Sequence, residues 1–271
     1  MDLNSVTAII MPENRAALPA SQPADAFLAG GTWVFSEPQP HLTRLIDLTS
    51  LGWPPLTLGP THLEIAATCT IATLAAFEPP GWPAGPLILQ CCRALLGSFK
   101  IWNMATVGGN LCLALPAAPM AALATALQAE CLVWAPDGGI RHIPAEGFVT
   151  GPQQNALRPG EILRTINIPL AALQRRSAFR QISLTPHGRS AALLIGTIAP
   201  DTAEFALTVT AATRHPLRMT FPSIPDEAEL RTRIESAIPQ GLYYDDIHGR
   251  LAWRRAMTFH LAEQICAELA A

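Results

Sequence analysis

Two glycine pairs carry the chemistry that the residue types of this chain suggest. The first lies in Leu28-Ala29-Gly30-Gly31-Thr32-Trp33-Val34, directly after the short apolar run Ala26-Phe27-Leu28-Ala29. The second lies in Thr106-Val107-Gly108-Gly109-Asn110, within the apolar, uncharged stretch Ile101 to Pro119. Adjacent glycines after an apolar run suit sharp turns whose backbone passes close to something else. Successive N–H groups in such a turn form a nest that holds phosphate oxygens. Two such turns, with the hydroxyls of Thr32 and Thr106 beside them, are suited to converge on one diphosphate ligand. Taken alone, a strand followed by Gly-Gly-Thr also reads as a plain tight turn. Asn110 alone reads equally as a residue that orients its own loop or as a ligand contact.

The rest of the composition narrows the classes. The chain has 271 residues, room for two domains or one large one. Apolar residues make up 49% and charged residues 14%, which supplies a sizeable core and implies that a partner subunit covers some apolar surface. A net charge of -3 gives no basic footprint for nucleic acid. The six cysteines form no Cys-x-x-Cys and no zinc or iron–sulfur spacing, so no metal ligand is assigned. They read as reduced, mostly buried thiols of a cytoplasmic protein. No signal peptide is visible, and no apolar run approaches the roughly 20 residues of a membrane span.

The elements that must position the glycine pairs follow from pattern. Strands are expected at Val6–Met11, at 26–29, at 44–48, and at 57–58 and 63–67 around the Gly59-Pro60 turn. Thr70 is a fair N-cap for a helix over 71–77. Pro86 opens a helix over 87–96, with Gly97 as its C′ residue. Pro116 opens a small-residue helix over 117–128 that has almost no polar face and is therefore buried on most sides. A hairpin is expected over 131–143 and a strand over 163–168. Past a polar run at 173–177 come an antiparallel meander (178–184, 191–198, 205–211), a helix over 226–237 and a last helix from near Asp246. In that last helix Met257, Leu261, Ile265 and Leu269 share one apolar face.

The stretch Asn103-Met104-Ala105-Thr106-Val107-Gly108-Gly109-Asn110 closely resembles the second glycine motif of the flavoprotein (medium) subunits of molybdenum hydroxylases, of the carbon monoxide dehydrogenase and xanthine dehydrogenase type. Leu28-Ala29-Gly30-Gly31-Thr32 is similar to the family's first glycine motif. Leu45-Ile46-Asp47, Gly151 to Leu157, Pro159 to Leu163, Ile168-Pro169 and Trp253-Arg254-Arg255 extend the likeness over nearly the whole chain. The resemblance implies an α+β fold: a vanillyl-alcohol-oxidase-like (PCMH-type) FAD-binding domain of two α+β subdomains over residues 1–174. A small α+β C-terminal domain, an antiparallel sheet with packed helices, would follow over 175–271. It implies a non-covalent FAD at Leu28, Ala29, Gly30, Gly31, Thr32, Trp33, Val34, Thr106, Val107, Gly108, Gly109 and Asn110. Leu96 and Leu163 would flank the ring, and Arg180 would stand where some members have a flavin-contacting lysine. It also implies an electron-transfer subunit of a heterotrimer. A large partner would carry the molybdenum cofactor, a small partner the iron–sulfur clusters, and NAD or a quinone would accept the electrons. No catalytic side chain is assigned, because the flavin carries the redox chemistry.

The chain departs from the family pattern after Asn110. Leu113, Leu115 and Pro119 stand where polar residues are usual, and Trp102 stands where arginine is common. These changes keep open a second expectation, a scaffold subunit of the same fold with weak or no FAD binding. A stand-alone FAD reductase is a third.

Overall fold

The computed structural model describes residues 3–271. The first layer is a parallel three-stranded sheet, with β1 (Ala8–Ile10), β2 (Asp25–Leu28) and β3 (Arg44–Asp47) in the order β1-β3-β2. Leu45 and Ile46 of the central strand are buried. Arg44 and Asp25 clamp the start of β2 to β3 through two hydrogen bonds, at 2.8 and 2.6 Å.

The next segment supplies β4 (Leu56–Leu58), β5 (His62–Ala66), α1 (Ile71–Ala75), α2 (Pro86–Ala94), α3 (Phe99–Met104), α4 (Val107–Leu113) and α5 (Pro119–Ala126). It continues with β6 (Glu130–Trp134), β7 (Ile140–Pro144), β8 (Val149–Gly151), β9 (Gln154–Asn155), β10 (Ile162–Pro169) and α6 (Leu170–Leu173). The strands β4-β5-β10-β6-β7 form one antiparallel sheet, and β8 pairs with β9. Thr70 caps α1 as expected, its hydroxyl accepting from Thr73 N. All eight residues of α5 are buried, which its small side chains permit from every side.

The remainder is an antiparallel meander of β11 (Arg176–Ile182), β12 (Ala192–Ile198), β13 (Phe205–Thr210) and β14 (Leu217–Phe221), then α7 (Glu227–Ala237) and α8 (Leu251–Ala270). The apolar run of β12 alternates between two cores. Leu193 and Ile195 join the cluster that contains α5, while Ala192 and Leu194 join the cluster that contains α8. Burial on both faces explains why this strand reads as continuous apolar sequence. On α8 Leu261, Ile265 and Leu269 are buried and Met257 is half-buried.

Several local expectations are corrected. The helix at 86 ends at Ala94 with Leu95 extended, so Gly97 is not its C′ residue; Gly97 instead faces the side chains of Ile101 and Trp102. The small-residue helix opens at Pro119, not Pro116, and the last helix opens at Leu251. Helix α3 and strand β14 were not anticipated, because six-residue and five-residue elements carry too few periods to stand out. The second glycine pair lies inside the first turn of α4, not in an open turn.

Two buried carboxylates make the fold acid-sensitive. The hydrogen bond from Arg44 holds the Asp25 carboxyl below the ordinary carboxylate range, against the opposing effect of burial. At Glu161 burial pushes upward, but hydrogen bonds from Arg141 and from Arg158 N more than offset it and hold the group low. Both folded values lie below the unfolded value of about 4, so the stabilisation is complete above that pH. It is lost as pH falls through the folded values. Unfolding free energy measured against pH is expected to drop below about pH 4, and Asp25→Asn with Glu161→Gln is expected to flatten that slope. An unchanged slope in the double variant would refute the assignment.

Four of the thiols are held protonated by burial. Burial pushes Cys69 and Cys92 up to about 12, and drives Cys91 and Cys131 upward as well. All four are at most 1% exposed. They are expected to react with a thiol reagent only as the protein unfolds, because the thiolate is the nucleophile. Rapid labelling of any of the four in native protein would contradict this.

Candidate functional site

The first glycine motif opens where β2 ends at Leu28. Gly31 has φ +69°, the left-handed region that favours glycine, and an added Cβ would lie 2.6 Å from the Phe35 ring. Phe35 N then donates to Gly31 O at 3.0 Å and Ser36 N to Trp33 O at 2.9 Å, winding residues 31–36 into a compact turn. The N–H groups of Gly30, Gly31, Thr32, Trp33 and Val34 meet no acceptor among the described residues, and neither does the Thr32 hydroxyl. These five residues are half-buried. Consecutive unpaired N–H groups on a glycine turn are the donor set that a diphosphate requires. By this measure the first motif fits FAD.

The second motif is wired differently. Thr106 is the N-cap of α4, its hydroxyl accepting from Gly109 N at 3.0 Å. Val107 N donates to Cys69 O and Gly108 N to Ala67 O, both at 2.9 Å, and Asn110 N donates to Thr106 O at 3.0 Å. The four N–H groups from Val107 to Asn110 are therefore all used inside the protein. Gly108 is a glycine because Ala67 occupies the place of a side chain, with Ala67 Cα 2.7 Å from where a Cβ would stand. Asn110 Oδ1 accepts from Met120 N at 3.0 Å, which ties α4 to the start of α5. The amide thus serves the local structure.

The two motifs do meet. A Cβ on Gly30 would overlap the carbonyl oxygen of Met104, the last residue of α3. Met104 is followed at once by Ala105, whose carbonyl accepts from Ile71 N at 2.8 Å. Glycine at position 30 lets the turn lie against this anchored backbone. The contact was not readable from side-chain pattern, because one partner is a main-chain carbonyl.

The other candidates separate. Leu96 is 43% exposed in the link between α2 and α3. Leu163 is 3% exposed and packs in the main core from β10, opposite Val133, so it offers no accessible wall. Arg180 points at α8: it pairs with Glu268 at 2.6 Å and donates to Gln264 Oε1 at 3.2 Å. Its charge is already matched there. Sequence reasoning did not single out the exposed apolar residues Phe35, Phe99, Ile101 and Met104; the Phe35 ring lies beside Gly31 and the Met104 carbonyl beside Gly30, and α3 buries none of its side chains. Their signal was an apolar, nearly uncharged 99–104 segment with no strand or helix period long enough to bury it. Of the departures after Asn110, Leu113 and Leu115 are half-buried and Pro119 is buried at the start of α5.

Comparison with known proteins bears on this arrangement. Residues 11–171 match the family model described as the FAD binding domain in molybdopterin dehydrogenase. The caffeine dehydrogenase subunit beta of Pseudomonas sp. (strain CBB1) is 38% identical over 115 residues, covering 41% of this chain and 38% of that protein. A putative xanthine dehydrogenase FAD-binding subunit of Escherichia coli (strain K12) is 29% identical over 154 residues, covering 55% of this chain and 52% of that protein. The matched region thus spans about half or less of these relatives' length. Quinoline 2-oxidoreductase from Pseudomonas putida 86 shares the fold, with a TM-score of 0.80 at 18% identity over 99% of this chain and 98% of that one. With the family model covering more than half of its length and both glycine motifs inside the match, this chain belongs to the family of FAD-binding domains of molybdopterin dehydrogenases.

Proposed function

We propose that the chain is the FAD-binding electron-transfer subunit of a multisubunit molybdenum hydroxylase. It stands between iron–sulfur clusters on a small partner subunit and an external acceptor such as NAD or a quinone. The molybdenum cofactor belongs to a large partner, and the three chains form a cytoplasmic heterotrimer. The observation that carries the reading is the run of five unpaired N–H groups from Gly30 to Val34, within a chain of this family. The names of the relatives, a caffeine dehydrogenase subunit and a xanthine dehydrogenase FAD-binding subunit, support the reaction class.

The finer architecture belongs to the same proposal. Residues 1–174 form the PCMH-type FAD-binding domain, with the parallel sheet and the five-stranded sheet as its two subdomains. Residues 175–271 form the C-terminal domain. FAD is non-covalent and supplies the electron chemistry when bound. The chain's own residues bind and orient it: the 30–34 turn and the Thr32 hydroxyl hold phosphate, and exposed Leu96 offers apolar surface. No helix of the described residues is long and apolar enough to cross a membrane.

Co-expression with the neighbouring reading frames tests the proposal. The expected product is a yellow complex containing a molybdenum subunit and an iron–sulfur subunit, whose flavin absorption bleaches on adding substrate without acceptor. The saturated second motif favours one other reading, a scaffold subunit with weak or no FAD binding. A colourless complex that takes up no FAD on reconstitution would select the scaffold reading and reject the flavin one.

A further inference from the structure

We infer that the outward face of α3, formed by Phe99, Lys100, Asn103 and Met104, is a docking surface for a partner protein chain that presents carboxylates around an apolar contact. This rests on the multisubunit reading above and names the partner's chemistry at one surface of this chain. With about 3.6 residues per turn, positions 99, 103, 100 and 104 fall in that order across one side of a helix, and 101 and 102 fall on the other. The structure follows this division. The Trp102 indole packs against the main core and donates to Leu95 O at 3.2 Å. Phe99 is 73% exposed and Met104 54% exposed, and Lys100 and Asn103 lie exposed between them. Single exposed apolar residues are ordinary. A phenylalanine and a methionine that frame a cation on one anchored face are the residue types found at the centre of interfaces.

Charge selects the occupant. Residues 79–129 contain no Asp or Glu, and their two cations are Arg93, on the last turn of α2, and Lys100. Both are exposed, and neither has an ion-pair or side-chain hydrogen-bond partner among the described residues. In a chain of net charge -3 this is a local cationic patch. It attracts a face that carries carboxylates and repels a basic one. The helix is also fixed before any partner arrives. Trp102 N donates to Ser98 O at 3.0 Å, Asn103 Nδ2 to Phe99 O at 2.9 Å, and Ala105 N to Ile101 O at 2.7 Å. A surface set in advance gives up little ordering entropy on binding. Through the Met104 carbonyl α3 lies against Gly30, so a chain docked on α3 stands beside the proposed cofactor turn.

Lys100 is the only lysine of the chain, so amine chemistry reports on this face alone among the side chains. Acetylation by an N-hydroxysuccinimide ester, read at Lys100 by peptide mass spectrometry, is compared in the isolated chain, the isolated chain with FAD, and the co-expressed complex. Lys100 is expected to react readily in the first two and at least about tenfold more slowly in the complex. A carbodiimide, which joins an amine directly to a carboxylate, is expected to link Lys100 to an Asp or Glu of a partner subunit. Phe99→Ser and Lys100→Glu are each expected to weaken reassembly of the complex about tenfold, while Lys100→Arg retains it. The loss in Lys100→Glu is expected to be larger at low salt. Both positions are exposed, so these variants keep the fold. A complex in which Lys100 reacts as fast as in the isolated chain would overturn the docking surface and leave the multisubunit reading standing. Protection of Lys100 by FAD alone would give the face to the cofactor and overturn it too, as would a cross-link only to a second copy of this chain. A chain that purifies alone after co-expression would reject the multisubunit reading, and the docking surface with it.

Discussion

Gly30→Ala is expected to yield a folded protein that has lost its flavin. The new methyl group would overlap the Met104 carbonyl oxygen and stand 3.2 Å from Ala105 N. Neither atom can swing aside as a flexible side chain does. The Met104–Ala105 backbone is pinned by Ala105 O to Ile71 N, by Ala105 N to Ile101 O, and just beyond by Val107 N to Cys69 O. The turn must therefore move. Overpacking of this kind costs about 1–3 kcal/mol of stability. That is a fraction of the 5–15 kcal/mol typical of a folded domain, so the chain stays folded.

The binding site suffers more, because each donor moved out of line loses a hydrogen bond to a charged group worth about 1.5–3 kcal/mol. Losing two, about 3–6 kcal/mol, weakens affinity on the order of 100-fold to 10,000-fold. Gly31→Ala is the companion variant. Its strain is conformational, about 1–2 kcal/mol for a non-glycine residue in the left-handed region, with the Phe35 ring in the way as well. Flavin titration and denaturant unfolding on the same samples separate the two effects. Unchanged FAD affinity in Gly30→Ala would remove the first turn from the site.

The largest expected loss of stability comes from Arg254→Met, about 3–5 kcal/mol. Arg254 is 1% exposed and leaves no part of its guanidinium idle. Its Nε donates to Gly249 O and one terminal nitrogen to Ala191 O, both at 2.9 Å; the same nitrogen reaches Ala211 O, and the other pairs with Asp246. One side chain thus joins the residue before β12, the residue after β13 and the loop that leads into α8. Methionine fills the volume but takes the side-chain donor from the Ala191 and Ala211 carbonyls, while Gly249 O keeps Asp246 N and the Asp246 carboxylate keeps His248 N; an unsatisfied buried acceptor costs about 1–3 kcal/mol. Arg254→Lys is expected to recover little, since a single ammonium cannot serve a forked set of acceptors. Urea unfolding followed by far-UV circular dichroism measures the difference. A change below about 1 kcal/mol would show that these contacts are dispensable.

How much of this was legible beforehand varies with the range of the interaction. The strand character of 44–48 and 63–67, the cap at Thr70, the helix expected over 226–237 and the buried helix expected from 117 are local signals, and the structure carries an element at each. The short α3 was invisible because six residues, none of them fully buried, span too few turns to reveal a period. The family resemblance puts Arg180 where some members have a flavin-contacting lysine; in the structure its partners Gln264 and Glu268 are on α8, more than eighty residues away. The resemblance puts Leu163 at a position that flanks the flavin; in the structure it lies opposite Val133 and is 3% exposed, in the core.

The two glycine pairs mark the same division. By itself the sequence determined that the chain has two Gly-Gly motifs of the molybdopterin-dehydrogenase FAD-binding family, and hence which cofactor to expect. Only the tertiary structure decided which motif keeps free donors. Every non-proline residue brings an N–H, but whether that group is spent depends on which carbonyl the fold brings opposite it. Ala67 and Cys69 lie some forty residues before Val107 and Gly108 and consume their hydrogen bonds. Gly30 to Val34 face no such acceptor among the described residues, and their donors stay open.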